Sequence, residues 1–241
     1  MYDYIIVIPA RLKSTRLPNK PLIKILGKSL IQRTYEQCVK AVDPRLIYIA
    51  TDSKIVEGHC RQFGAQVLMT SKNALTGTDR VFEVAKSINA KYYINVQGDE
   101  PIFNPDDIKY FIENLDFQKE TILNGYTTIQ SEEQFKSNSI PKVVFKPNGD
   151  LLYMSRSSIP GNKKGEFIKA WRQVCIYAFS YNALEKFNSV GKTLLEQYED
   201  IEILRFLELN MNVKMIQLSS HSIAVDVQED IIKVENYLNK K

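Results

Sequence analysis

The sequence predicts an α/β protein in which a mostly parallel sheet is flanked by helices and carries a smaller antiparallel lobe. The first observation is that short apolar runs alternate with helical patterns through residues 5–115. The second is that this alternation loosens from about residue 121, where a turn at 147–150 separates two short strand patterns. Successive parallel strands need right-handed crossovers and the turn joins an antiparallel pair, so both kinds of pairing are expected.

The first half of the chain predicts four strands and four helices. Ile5–Ile8 is a continuous apolar run that ends at Pro9, which is typical of a strand buried on both faces. Ser29 can cap the next helix and Gly64 can end the one after it. The later elements of this half are predicted as helix 29–41, strand 46–50, a helix ending near residue 63, strand 66–69, helix 79–90, strand 92–96 and helix 105–115.

The second half predicts strands of more mixed character. Pro147-Asn148-Gly149-Asp150 is typical of a hairpin turn, and residues 155–169 are polar and rich in lysine, which indicates a loop. The remaining predicted elements are strands 140–145, 151–154 and 170–180, helices 181–188 and 195–210, strands 213–218 and 223–226, and helix 228–239. No internal repeat or low-complexity linker divides the chain, so residues 1–241 are expected to form one domain.

Composition excludes several classes of protein. The 241 residues are 44% hydrophobic and 25% charged, with a net charge of +4, too small and scattered to indicate nucleic-acid binding. The three cysteines show no disulfide or metal spacing, so reduced thiols and a cytoplasmic location are expected. We also expect no secretion signal and no membrane span. His59 and His221 lie in a helix pattern and a polar run, which argues against an imidazole general base.

A basic loop follows the first predicted strand. It holds four cations within ten residues: Arg11, Lys13, Arg16 and Lys20. Ligands of open α/β sheets bind beyond the carboxyl ends of strands, so this loop suits a polyphosphate. A solvated basic loop is the alternative, and neither GxGxxG nor GxxxxGK[ST] is present.

An acidic segment follows the strand predicted at 92–96. Gln97-Gly98-Asp99-Glu100-Pro101 places a carboxylate beside a glycine at a strand end, a suitable position for a hard divalent cation. Cations for phosphates and a carboxylate for Mg²⁺ are the two parts that a nucleoside triphosphate site needs. The sequence therefore predicts such a site at this edge of the sheet.

These two segments, together with Thr76-Gly77-Thr78-Asp79-Arg80, closely resemble the CMP-sugar-acid synthetases, and in particular the members that act on 3-deoxy-manno-octulosonate (Kdo). The resemblance is dense over residues 4–105 and looser beyond. It implies a Rossmann-like fold of the nucleotide-diphospho-sugar transferase type, and attack of a sugar-acid hydroxyl on the α-phosphorus of CTP with release of pyrophosphate. It also implies Mg²⁺, a homodimer, and a place in lipopolysaccharide or capsule synthesis.

The resemblance assigns roles on the nucleotide side. Lys20, Arg11, Asp99 and Asp226 are the implied catalytic residues, and the two aspartates the implied Mg²⁺ ligands. The implied CTP-binding residues are Ala10, Arg11, Ser14, Arg16, Lys20, Thr78, Arg80 and Gln97. Lys13 ranks lower. From the sequence alone, Asp226 could instead cap the last helix, and Thr78 or Asp79 could be an ordinary cap. The family usually has Gly before the Val and Thr-Pro after the Asp, where this chain has Ala224, Val227 and Gln228.

On the acceptor side the resemblance implies contacts from Arg156, Gln173, Tyr177, Glu196, Glu199 and Ile203. The Kdo enzymes usually have His at the position of Gln173 and Gln at that of Ile203. We therefore expect Kdo to be accepted poorly, or an amino- or deoxy-substituted relative to be preferred. Residues 1–120 would mainly bind CTP, and residues 121–220 would mainly bind the acceptor and form the dimer.

Three alternatives stay open at this stage. One is a cytidylyltransferase for another acidic acceptor, such as a nonulosonic acid or a phosphonate. Another is a catalytically silent nucleotide-binding protein, which has no chemical reason to keep both Asp99 and Asp226. The third is a dinucleotide-dependent oxidoreductase, which the missing GxGxxG disfavours.

Overall fold

A computed structural model describes residues 1–13, 16–119, 121–219 and 222–240. The strands in these ranges are β1 Tyr2–Pro9, β2 Lys24–Ile25, β3 Lys28–Ser29, β4 Ile47–Thr51, β5 Gln66–Met69, β6 Ala90–Val96, β7 Ile122–Thr128, β8 Lys142–Phe145, β9 Leu151–Ser155, β10 Trp171–Phe179 and β11 Val213–Gln217. The α-helices are α1 Leu30–Ala41, α2 Lys54–Gln62, α3 Gly77–Ala85, α4 Pro105–Glu113, α5 Glu132–Lys136, α6 Tyr181–Asn188, α7 Leu194–Glu199, α8 Ile203–Glu208 and α9 Gln228–Leu238.

One mixed sheet organises the molecule, with strand order β11-β7-β10-β6-β1-β4-β5. β1 pairs in parallel with β4 and β6, and β11 pairs in parallel with β7. β10 is antiparallel to both β6 and β7, and the β8–β9 hairpin joins through β8 to β10. The predicted fold class is confirmed, and its antiparallel strands extend the parallel sheet through β10.

Two apolar layers cover the faces of this sheet. Alternate residues of β1 divide between them, with Ile6 and Ile8 in one cluster and Ile5 and Val7 in the other. The first layer includes α1, α2 and α4, and the second includes α3, α6 and α8. Because both faces are covered, β1 is continuously apolar from residue 5 to residue 8, as expected for a central strand.

Several helix boundaries follow from the cap residues. Ser29 caps α1 by accepting a hydrogen bond from the Gln32 N–H at 3.2 Å, as predicted. Gly64 follows α2 with a φ of 80°, a left-handed conformation that favours glycine, so its predicted role at the helix end is confirmed. These caps fix where the chain enters and leaves the layers around the sheet.

The second half departs from the predicted elements in four places, one of which is the short helix α5, which was not predicted. The helix predicted at 195–210 is two short helices, α7 and α8, because Asp200 takes a left-handed conformation with a φ of 51°. Residues 223–226 form no strand, although the Val225 N–H donates to the Asp99 carbonyl at 2.9 Å. β7 was not predicted, because Asn124-Gly125 interrupts its apolar pattern. The break between α7 and α8 and the segment 223–226 contribute residues to the candidate site described below.

No helix within the ranges that the structure describes is long and apolar enough to cross a membrane.

The buried cysteines give a first testable prediction. Cys38 and Cys60 are fully buried, and burial raises the pKa of each thiol to about 12. Since the thiolate is the reactive form, both should react with Ellman's reagent at pH 8 at least about a hundredfold more slowly in the folded protein than in guanidinium. Equal rates in the two conditions would contradict the buried positions.

Candidate active site

A polar cleft lies beyond the carboxyl ends of β1 and β6. Its walls are the segments that follow these two strands, the first turn of α3, the α7–α8 connection, and Asp226. Nine residues of the predicted site line it: Ala10, Arg11, Arg16, Lys20, Arg80, Gln97, Asp99, Glu196 and Asp226. Ser14 lies outside the described residues. The cleft therefore gathers the basic loop and the acidic segment that the sequence placed after different strands.

Lys20 lies between the two predicted metal ligands. Its Nζ donates to Asp99 Oδ2 at 2.7 Å and to Asp226 Oδ1 at 2.9 Å. The Arg16 guanidinium lies 3.1 Å from the same Asp226 oxygen. Three segments that are far apart in sequence thus meet in one charged cluster at the floor of the cleft.

The backbone explains how these groups come together. Gly98 allows β6 to end close to β1, because a Cβ at this position would lie 2.7 Å from the Pro9 carbonyl oxygen. Thr34 of α1 donates to the Gly98 carbonyl at 3.1 Å and holds the same turn. The bond from Val225 to the carbonyl of Asp99 then brings Asp226 beside it.

Asp226 does not cap the final helix. Val227 is the N-cap of α9, and the Asp226 N–H donates to the Asp230 carboxylate at 3.1 Å. The Asp226 side chain is therefore directed to Lys20 and Arg16. The helix-cap alternative from the sequence is wrong, and the changed residues around Asp226 still present its carboxylate to the cleft.

The electrostatics of the cluster favour the charged form of Lys20. Burial by itself lowers the pKa of Lys20, but attraction and hydrogen bonds from Asp99 and Asp226 outweigh it and raise the pKa above its ordinary value. Next to this cluster, burial and the Asp99 charge raise the pKa of Glu100 to about 7. Glu100 accepts a hydrogen bond from Ser222.

The two aspartates suit a magnesium ion shared with phosphates. Mg²⁺ is commonly bound through one or two carboxylates plus oxygens of the substrate, and both aspartates are partly exposed to the cleft. Within the described ranges, His, Cys, Asp and Glu side chains form no group of three that could hold a metal on its own. The donor set therefore fits Mg²⁺ that arrives with a polyphosphate.

The basic loop gives a prediction for CTP binding. Lys20 and Arg11 line the cleft, whereas Lys13 is exposed and is not among the lining residues of the described chain. Charged hydrogen bonds contribute about 1.5–3 kcal/mol each, so Lys20→Ala and Arg11→Ala should weaken CTP binding or turnover at least about tenfold. Lys13→Ala is the matched control, for which titration calorimetry should give less than a threefold change. Equal effects from all three variants would indicate diffuse electrostatics.

The first turn of α3 forms the opposite wall. Thr76 is the N-cap, and Asp79 completes a capping box with it, so the cap role of Asp79 is confirmed. Arg80 is buried and donates to the Thr70 hydroxyl at 2.5 Å, with Asp52 at 3.4 Å. Its guanidinium is thus held by fixed partners at the surface of the cleft.

Glu202 joins this wall to the connection between α7 and α8. Its carboxylate accepts hydrogen bonds from the Gly77 N–H at 3.1 Å and the Thr78 N–H at 2.8 Å. Withdrawal of the carboxylate from water raises the pKa of Glu202, although these hydrogen bonds oppose the rise. Sequence reasoning missed this residue, because it lies in the α7–α8 break that was predicted to be continuous helix.

Glu196 belongs to a buried ion network. Arg205 donates to both of its carboxylate oxygens at 2.6 and 2.7 Å. The same guanidinium lies 3.4 Å from Asp79 and 3.6 Å above the Phe187 ring. Glu196 therefore faces the cleft as a paired carboxylate, and Arg205, which the sequence did not single out, links two of the walls.

Arg156 and Glu199 form a second polar link. Arg156 Nε donates to the Glu199 carbonyl at 2.5 Å, and its Nη2 donates to the Asp200 carbonyl at 2.9 Å. The Glu199 carboxylate accepts from the Ser155 hydroxyl at 2.6 Å and the Arg156 N–H at 2.8 Å. Neither side chain is among the cleft-lining residues, and their predicted contacts with the acceptor stay a prediction.

Gln173, Tyr177 and Ile203 are buried and are likewise not among the cleft-lining residues. Gln173 donates to the Asn124 side-chain oxygen at 3.0 Å. Asn124 in turn donates to the carbonyls of Val174 and Ile176, which stabilises the register shift in β10. Thr78 is also buried and outside the lining. The predicted roles of these four residues toward ligands stay predictions.

The sequence is similar to those of known proteins. The sequence model of a family described as cytidylyltransferase matches residues 5–216. The chain is 40% identical to a 3-deoxy-manno-octulosonate cytidylyltransferase of Chloroherpeton thalassium, with 98% of each chain covered. It is 33% identical to the Escherichia coli protein of the same name, with 97% of this chain and 95% of that protein covered.

The fold is also similar to that of solved structures. A structure of CMP:2-keto-3-deoxy-manno-octonic acid synthetase complexed with CTP is 33% identical, with a TM-score of 0.90 and 98% of each chain covered. A 4-diphosphocytidyl-2C-methyl-D-erythritol synthase from Anaerococcus prevotii has a TM-score of 0.65 at 16% identity, with 99% of this chain and 96% of that chain covered, and shares the fold.

Proposed function

The chain belongs to the cytidylyltransferase family, and we propose on that basis that it transfers CMP from CTP to the anomeric hydroxyl of Kdo and releases pyrophosphate. The observation that carries the proposal is the cluster of Lys20, Asp99 and Asp226 at the carboxyl edge of the sheet. Family membership argues against the oxidoreductase alternative. The retained charged cluster argues against a catalytically silent relative.

The proposed chemistry is mainly positioning and charge neutralisation, as in other phosphoryl transfers. Lys20, Arg11 and Arg16 would bind the triphosphate oxygens and favour departure of pyrophosphate. Asp99 and Asp226 would hold Mg²⁺, which when bound neutralises charge on the phosphates. Glu202 and Arg205 keep the opposite wall in place, so that an acceptor hydroxyl can lie close to the α-phosphorus.

The test is pyrophosphate release by the purified protein in the presence of CTP, Mg²⁺ and Kdo. We expect release that depends on all three, with CMP-Kdo identified as the other product by mass spectrometry. UTP and ATP serve as nucleotide controls, and a nonulosonic acid and a phosphonate as acceptor controls. Release without an acceptor, or with only one of the control acceptors, would overturn the proposal.

A modified ulosonic acid is the second candidate acceptor. Because Asn124 donates to two backbone carbonyls, its side-chain oxygen accepts from Gln173. This bond uses the side-chain nitrogen of Gln173. The side-chain oxygen of Gln173 is then the atom that could accept a hydrogen bond from a donor such as an amino group. Ile203 adds an apolar side chain that belongs to the second apolar layer.

These two positions give a prediction of specificity. Gln173→His combined with Ile203→Gln should raise kcat/KM for Kdo, relative to an amino-substituted analogue, by at least about tenfold. The reason is that a polar contact discriminates strongly against a ligand that leaves it unpaired. Steady-state kinetics with both acceptors provide the measurement, and Ile232→Gln on the exposed face of α9 is the control. An unchanged ratio would show that these positions do not set the acceptor.

The proposal also covers the pathway, the cellular location and the oligomeric state of the enzyme. Activated Kdo is a precursor of lipopolysaccharide, and a cytoplasmic homodimer is the expected form. Leu152, Ile168 and Tyr198 are exposed apolar side chains within residues 121–220, which supports assignment of the dimer contact to this part of the chain. Residues 1–120, which carry most of the cleft-lining cations, would mainly bind CTP.

A further inference from the structure

The position of Lys20 has a consequence for how ligands enter the cleft. Its ammonium nitrogen lies within hydrogen-bond distance of one oxygen of Asp99 and one of Asp226, at 2.7 and 2.9 Å. Those two oxygens face each other across a single nitrogen. A lysine ammonium and a divalent ion both seek oxygens of this kind, so they compete for the same two atoms.

The charges around the cluster are already balanced. Lys20 and Arg16 are the cations and Asp99 and Asp226 the anions, and every ion pair among them is 3.1 Å or shorter. A carboxylate pair neutralised in this way attracts a divalent cation weakly, because the local field that would concentrate the cation is cancelled. Binding of metal to these oxygens therefore requires Lys20 to move away from them.

The Lys20 side chain can reach another anionic partner within the cleft. It lines the cleft together with Arg11 and Arg16, and its side chain is 15% exposed. A lysine side chain has a flexible four-carbon stem and three N–H donors, so it can exchange one anionic partner for another without movement of the backbone. A triphosphate bound in the cleft would provide such a partner.

We propose that Lys20 is an exchangeable counter-ion, which neutralises Asp99 and Asp226 until a triphosphate draws it away and frees both carboxylates for metal. Metal and nucleotide then assist each other's binding, and Lys20 carries the coupling between them. This inference rests on the proposed function for the presence of triphosphate and metal in the cleft. It adds that the protein without nucleotide binds divalent metal poorly because of Lys20.

The test measures two binding reactions separately on the full chain. In the first, Mn²⁺ binding to protein without nucleotide is followed by electron paramagnetic resonance. In the second, CTP binding in EDTA is followed by calorimetry. Lys20→Met should tighten Mn²⁺ binding at least tenfold and weaken CTP binding at least tenfold. Opposite signs are the signature of exchange, because general damage to the site would weaken both reactions.

Three controls make the result specific. Lys13→Met removes one charge from the same loop and should change neither constant more than threefold. Lys20→Gln should reproduce both effects with a polar side chain, which keeps the test valid if Lys20→Met is poorly folded. Asp99→Asn combined with Lys20→Met should abolish the added Mn²⁺ affinity, which identifies the site.

Unchanged or weaker Mn²⁺ binding in both Lys20 variants would overturn the inference. Tighter binding that persists after Asp99→Asn would overturn it as well, because the metal would then lie elsewhere. Failure of the proposed function looks different: the wild-type protein would bind no CTP in the second reaction, whereas the first reaction would still report on competition between Lys20 and metal.

Discussion

Asp99→Asn and Asp226→Asn are each expected to lower kcat by about 10³-fold or more, which corresponds to about 4 kcal/mol of transition-state stabilisation. Both carboxylates face the cleft, and both contact Lys20. Asparagine has nearly the same shape but no charge, so it keeps the packing and loses the group that would hold Mg²⁺. Steady-state pyrophosphate release at saturating CTP and Kdo, with a titration of Mg²⁺, provides the measurement.

The fold should survive both substitutions. The two side chains are 27% and 32% exposed, and in each variant Lys20 keeps one carboxylate partner. Asp106→Asn, on the exposed start of α4, is the matched control and should leave kcat unchanged. Circular dichroism checks that each variant is folded. Near-normal turnover in both site variants would show that these aspartates do not carry the metal.

Arg205→Ala is expected to cost about 3–5 kcal/mol of the free energy of unfolding, because removal of one member of a buried ion network leaves unpaired charge in the interior. Arg205 has no exposed surface, and it pairs with Glu196 through both carboxylate oxygens and with Asp79. For a protein of this size, such a loss lowers Tm by about 6–20 °C. Thermal unfolding followed by circular dichroism measures it.

Two variants calibrate this result. Arg205→Lys keeps the charge but loses the planar fork and its contact with the Phe187 ring, so an intermediate decrease in Tm is expected. Lys233→Ala removes a cation from an exposed pair with Asp230 and should change Tm by less than about 2 °C. A change that small in Arg205→Ala would contradict the view that this network holds the walls of the cleft together.

The parallel part of the fold could be predicted because its signal is local. β1, β4, β5 and β6 are short apolar runs, and the helices between them begin or end at residues such as Ser29 and Gly64. A strand buried on both faces needs apolar side chains throughout, and a helix end needs a partner for its free backbone groups. Both requirements leave a mark on consecutive residues.

The second half of the chain was harder to predict, because some of its residues are selected for contacts with segments that are distant in the sequence. β7 contains Asn124, whose amide holds two carbonyls of β10, so a polar residue lies in the middle of a buried strand. The break between α7 and α8 depends on the left-handed Asp200, an uncommon conformation for a residue other than glycine. Neither position carries a periodic signal, so β7 was not predicted and the two helices α7 and α8 were predicted as one.

By itself, the sequence determined the fold class, the basic loop after β1, the acidic residue after β6 and the resemblance of these segments to one family. Those features depend on neighbouring residues and on strand ends that share an edge. Only the tertiary structure decided that Lys20 joins Asp99 to Asp226, and that Arg205 and Glu202 connect the walls of the cleft. These partners are separated by about 80 to more than 200 residues, and charge partnerships over such distances are set by how the layers pack and leave no pattern along the chain.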